Sequence, residues 1–295
     1  MIDPDTALAA CRFLHDASLM LLWGAAAYLC LMVPKALADR VWHMLAGASV
    51  VTALVAVIAT LMSLPLAAAG IGSGWSDAID AATLHAVLFE TTVGQAWLAQ
   101  AAAALILLLA LPLPGHWRHR GISLGSGLGL AALVLTGHAS MHDGWLKIAH
   151  RANDMLHVLA GGGWLGALVP LIPILRLLNQ PECRVEALLA LRRFSTAGHI
   201  AVALVITSGI INTMLVLRHL PTDWSSPYQA LLAIKIALVA GMSLLAIVNR
   251  YVLAPRIGHD QARALNAIRL GSIAEIVLGI AVIALVAVFG MLEPV

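Results

Sequence analysis

The chain has 295 residues, 61% of them hydrophobic and only 11% charged, with a mean hydropathy of +0.93. A soluble globular chain is nearer half apolar and one-quarter charged, so a water-facing surface cannot be built from so few ions. The net charge of +2 offers no basic block for a phosphate backbone, which argues against nucleic-acid binding.

Apolar runs of about 20 residues, enough to cross roughly 30 Å of hydrocarbon, recur from end to end without the alternation of barrel strands. The expected fold class is therefore all-α: a polytopic membrane helix bundle of about eight transmembrane helices, with residues 1–295 forming a single transmembrane domain. The N-terminus, MIDPDTALAACRFLHDASLM, has acids where a signal peptide has a basic stretch, and it reads as uncleaved. Span one, 12–34, brings in His15, Asp16 and Met20, and span two covers 43–69 with an expected kink or end near Pro65. The connection 70–93 has room for a short helix and carries His85 and Glu90; span three is 94–113. Span four, 121–140, emerges at TGHASMHDGW with His138, Met141, His142 and Asp143. Span five, 154–177, is entered through HRANDMLH with His150, Asp154 and His157. Spans six, seven and eight are 194–217, 228–250 and 270–291, with His199 and Asn212, Lys235, and Glu275 within them.

Positive residues orient the bundle. Connections after the odd-numbered spans hold Lys35, Arg40, Arg118, Arg120, Arg176, Arg184, Arg192, Arg193, Arg250, Arg256, Arg263 and Arg269. The other side holds only Arg12, Lys147, Arg151 and Arg218. The positive-inside rule then puts both termini on the outer face, periplasmic in a bacterium. Trp42, Trp75, Trp97, Trp117, Trp145 and Trp224 fall near span ends, as an interfacial belt requires. Cys11, Cys30 and Cys183 form neither a disulfide framework nor a paired metal motif.

Histidine and carboxylate gather at the outer ends of spans one, four and five. His138 and His142 are four apart, and His150, Asp154 and His157 are four and three apart, spacings that share one helix face. Imidazole suits copper, zinc, iron or nickel, and nearby Met thioethers favour Cu(I). Interfacial histidines such as His85, His142, His150 and His219 can equally meet only water or headgroups, and Met at helical spacing can be plain packing. His15, His138 and His157 are the stronger metal candidates, because each lies at the apolar boundary where a polar group needs a reason. Asp16, Met20, His85, Met141, His142, His150 and Asp154 are supplementary donors. On the inner side, His116, His119 and His259 sit among arginines and read as solvated. His199 and Glu275 form a candidate inner path; Glu275 has either to pair with an arginine or to act as an exit ligand. Asn212 reads as interhelical glue, and Lys235 has either to snorkel or to pair with Asp16. Ser140 and Ser195 lie in no nucleophile motif, and no phosphate-binding loop is present, so a non-enzymatic protein is expected.

TGHAS, followed about twenty residues later by DMLHVLAGGGWLGAL, resembles the paired signature of the copper resistance protein D (CopD) family. TTVGQAW, RFSTAG and YQALLAIKIALVAGMSLLAIVNRYVLAPRI continue the resemblance over nearly the whole chain. The resemblance implies a bacterial inner-membrane protein of eight spans. It would handle copper in resistance or uptake, beside a periplasmic CopC-type copper-binding partner and in contact with membrane lipids. It also implies copper movement inward and places His15, His138 and His157 on family histidines. A second reading is a membrane electron carrier or cupric reductase that holds haem between histidines on facing helices, such as His138 and His157.

Overall fold

Hydrocarbon offers no partner for backbone N–H and C=O groups, so a chain this apolar has to satisfy them within helices. The computed structural model describes residues 2–136 and 143–292. Among them lie nine α-helices and no strand: α1 Pro4–Leu31, α2 Lys35–Ile71, α3 Ala81–Glu90, α4 Thr92–Ala110, α5 Gly115–Ala132, α6 Gly144–Leu177, α7 Arg184–Leu217, α8 Pro227–Val248 and α9 Gln261–Phe289. Seven helices, α1, α2, α4, α6, α7, α8 and α9, are long and apolar enough to cross a membrane. The expectation of about eight is roughly met: α5, whose polar GHWRHR start dilutes its hydropathy, is not among the seven and lies where the fourth span was expected. The short α3 occupies the connection 70–93, where Asp80 caps it by accepting Thr83 N–H at 2.8 Å.

Several helices begin well before the apolar spans. α1 starts at Pro4 rather than 12, and α6, α7 and α9 each begin nine or ten residues before their hydropathy boundary. Hydropathy registers only the hydrocarbon-level part, whereas the backbone ladder continues through the interface. Of the two outcomes expected near Pro65, a helix end is not seen, because α2 runs on to Ile71 with Pro65 inside it. Pro65 removes one ladder donor, and beside that turn Thr60 C=O accepts both Trp97 Nε1–H and Ser63 Oγ–H at 2.8 Å.

Two sets of contacts define the two faces. Trp75 Nε1 donates to Ile2 C=O at 3.0 Å, and Gly290 at the end of α9 lies beside the Arg12 guanidinium on α1. The starts of α1 and the ends of α2 and α9 therefore share one face. Opposite, Arg193 donates to Met32 C=O, Arg40 to Cys183 Sγ, and Gln261 joins Arg184 and Asn179. That is the arginine-rich side, which the positive-inside rule assigns to the cytoplasm. Trp75, Trp117, Trp145 and Trp224 are exposed as belt residues should be, but Trp42 is buried and stacks on His119 at 4.0 Å.

α1 is the hub, packed against α2, α5, α6 and α9. Its closest approach is to α6: a Cβ on Gly24 would lie 2.3 Å from Gly162 O and 2.6 Å from Gly166 Cα. Gly162 and Gly166 form a small-xxx-small pair that lets the two backbones touch. α6, α7, α8 and α9 meet at a second cluster around Trp164, Val205 and Met242.

Candidate metal centre

α1 and α6 both run inward from the outer face, so the Gly24 crossing sets their register. His15 lies nine residues before Gly24 and His157 five before Gly162, roughly 13 Å and roughly 8 Å up the helices. His15 is buried at 5% exposure, and its Nδ1–H donates to the Asp16 carboxylate at 2.9 Å. A carboxylate only accepts, so the lone pair of this imidazole sits on Nε2.

His157 reaches the same state by another route. Its Nδ1 is 2.9 Å from Ser208 Oγ on α7, and that hydroxyl gives its one proton to the Leu204 carbonyl a turn earlier. Ser208 can therefore only accept from Nδ1–H, which again leaves Nε2 as the basic atom. A histidine whose other nitrogen is held by an acceptor is the usual arrangement of a metal-ligating imidazole. Asn153 donates to Asn212 Oδ1 at 2.7 Å and to Ser208 C=O at 2.9 Å, and Asn212 donates to Asp154 Oδ1 at 3.0 Å. Asn212 is thus interhelical glue between α6 and α7. Lys235 on α8 stands within electrostatic range of Asp154 and His157, and its Nζ lies 5.8 Å from the Phe289 ring. The alternative partner, Asp16, is engaged by His15 instead.

The remaining outer candidates divide. His138, Met141 and His142 lie outside the described residues. His150 is buried on α6 at 2% exposure, whereas His85 is exposed on α3 and tilts against Phe89 at 4.8 Å. Met20 packs against Gly162 at the α1–α6 crossing. Among the described residues, no three His, Cys, Asp or Glu side chains stand close enough to hold one ion.

On the inner side, Glu275 is buried at 2% exposure and is held by Asn249, whose Nδ2 donates to Oε1 at 2.8 Å, and by the Trp164 side chain. These neutral donors, rather than an arginine, answer the cost of placing a carboxyl there. His199 contacts Ser195 C=O at 2.7 Å through Nδ1 and Tyr251 Oη at 3.1 Å through Nε2, while Arg250 donates to Ser195 Oγ. Asn249, Arg250 and Tyr251 begin a π-helical turn, Asn249–Leu253, that follows α8. Asn249 meets α9, and the next two residues meet α7. His43, His116 and His119 line an open inner-face cavity of about 350 Å³ with Lys35, Asp39 and Arg118. His119, expected to be solvated, is instead half-buried on Trp42.

Residue-by-residue reading missed Asn153 and Ser208 on the outer side and Trp164, Asn249, Arg250 and Tyr251 on the inner side. The seven-residue spacing of Lys235, Met242 and Asn249 was the available signal for one shared helix face.

Two family models match the chain: "Copper resistance protein D-like, N-terminal domain" over residues 1–148, and "Copper resistance protein D" over residues 188–289. Inner membrane protein YebZ of Escherichia coli (strain K12) is 32% identical over 298 residues, covering 97% of each chain. Copper resistance protein D of Pseudomonas syringae pv. tomato is 32% identical over 258 residues, covering 82% of each. Copper transport protein CutJ of Bacillus subtilis (strain 168) is 28% identical over 243 residues, 79% of this chain and 43% of that protein. No solved structure matches.

Proposed function

The chain belongs to the copper resistance protein D family, and on that footing we propose that it binds copper at its periplasmic face and carries it into the cytoplasm. It is a multi-pass protein of the bacterial inner membrane. The observation that carries the copper-site reading is the matched pair of imidazoles: in both His15 and His157, Nδ1 is held by an acceptor and Nε2 is left to bind. His138 would complete a three-imidazole set suited to Cu(I), and an adjacent carboxylate would better suit Cu(II). A periplasmic CopC-type protein would hand copper to this face. His199 and Glu275 mark the inner end of the path.

The protein acts as a carrier or channel, without a catalytic nucleophile and without ATP. An inside-negative potential drives a monovalent cation inward, by about 2.3 kcal/mol per charge per 100 mV. The test is uptake into vesicles that hold a trapped Cu(I)-chelating dye, with the protein's periplasmic face outward and Cu(I) outside. Uptake should rise when a potassium gradient with valinomycin makes the interior negative, and should need no nucleotide. Dye signal no greater than in empty vesicles at any potential would refute the transport reading.

A further inference from the structure

Four side chains of α8 and its π-helical end fall at seven-residue intervals: Tyr228, Lys235, Met242 and Asn249. Seven residues are close to two helical turns, so these four stand in one line, about 10 Å apart. Every member of the line meets a neighbouring helix. Tyr228 packs edge-on against Phe289 at 5.4 Å, Lys235 lies near Asp154 and His157, and Asn249 bonds Glu275. Met242, at 4% exposure, is packed with Trp164 of α6 and Val205 of α7, and Leu278 of α9 lies against them.

The chemistry along this seam comes in three levels. The outer level is polar and holds Asp154, His157, Ser208, Asn212 and Lys235. The inner level is polar too: Glu275 with Asn249, and His199 with Tyr251. The level between them is apolar, and within it the Met242 thioether is the side-chain donor. Trp164 touches both lower levels, since it packs in the apolar cluster and also hydrogen-bonds Glu275.

We propose that copper crosses the membrane along this seam between α6, α7, α8 and α9, with Met242 as the soft donor that carries Cu(I) through the apolar constriction between the His157 and Glu275 groups. The inference rests on the import reading above and adds its route and its middle ligand. A bare cation has no partner among indole, valine and alanine side chains. A thioether binds Cu(I) and offers little to Na⁺, K⁺ or Mg²⁺, so the same atom also sets specificity. Met242 divides a separation of about 20 Å along α8 into two steps of about 10 Å. Lys235 stands within electrostatic range of Asp154 at the outer level.

The test uses the vesicle uptake assay with the full chain, comparing wild type, Met242→Leu and Met242→Cys. Leucine conserves the volume of the core, so a purely packing role predicts wild-type uptake. The expected result is at least a tenfold slower uptake for Met242→Leu, with unchanged copper stoichiometry and unchanged Tm. Met242→Cys, which restores a soft donor, should keep at least a third of the wild-type rate. Uptake by Met242→Leu within twofold of wild type overturns the route while leaving import standing. Equal losses in both folded variants also overturn it, because donor chemistry then makes no difference. No uptake by wild type overturns the import reading itself, and the route with it.

Discussion

Gly24→Ala should leave little folded protein. The added Cβ would lie 2.3 Å from Gly162 O, 2.6 Å from Gly166 Cα and 2.8 Å from Ala167 N, all backbone atoms of α6. No side-chain rotamer can relieve such contacts, so α1 and α6 would have to separate. Gly166→Ala meets the same obstacle from the other helix, at 2.4 Å from Met20 O and 2.8 Å from Leu21 O. Overpacking a core costs about 1–3 kcal/mol where side chains can shift, and more where backbone meets backbone. That is a large part of a total stability on the order of 5–15 kcal/mol. Because α1 is the hub, the damage spreads to its contacts with α2, α5 and α9. Gly47→Ala is the control, since its Cβ would have nothing within 4 Å. Monodisperse yield and Tm in detergent should collapse for Gly24→Ala and Gly166→Ala and match wild type for Gly47→Ala. A wild-type Tm for Gly24→Ala would show that the two helices do not cross there.

His157→Ala should abolish tight copper binding without unfolding the bundle, since the residue is half-buried and its hydrogen-bond partners are the Ser208 hydroxyl and the Val205 carbonyl. The graded companion is Ser208→Ala. Ser208 holds Nδ1–H of His157 and so keeps Nε2 basic; removing it should weaken copper about tenfold to a hundredfold, the range for a lost outer partner of a ligand. Competition against a Cu(I) chelator of known affinity reads both changes. If Ser208→Ala binds as wild type does while His157→Ala does not, the hydroxyl does not orient the ligand. If His157→Ala binds with wild-type affinity, His157 is not a ligand.

Much of the architecture was legible because hydrocarbon imposes a simple rule: long apolar runs become spans, and arginines mark the inner loops. The seven long apolar helices follow from that rule, and the 70–93 connection had room for the short helix it holds. Helix ends did not, because α6 and α7 extend about ten residues through the interface, where hydropathy is silent. Partner choice was also hidden. Lys235 reads in the sequence as snorkelling or pairing with Asp16, whereas the rotation of α8 about its own axis brings it near Asp154, a partner the sequence did not point to. Glu275 found Asn249 rather than an arginine because Asn249 continues the face of α8 that meets α9. Ser208 carried no metal-like signal of its own, since its role depends on facing His157 from another helix. His15 and His157 were visible as polar groups at an apolar boundary. Their shared Nε2 availability required the hydrogen bonds.

The position of bound copper is the most direct test of an outer-face site. Crystals of the full chain loaded with one equivalent of copper, measured on both sides of the copper absorption edge, would locate it by anomalous difference density. The predicted peak lies at the outer end of the bundle, bonded to Nε2 of His157 and sharing His15 or His138. A peak confined to the inner face near His43, His116 and His119, or none at the outer end of the loaded protein, would contradict the account.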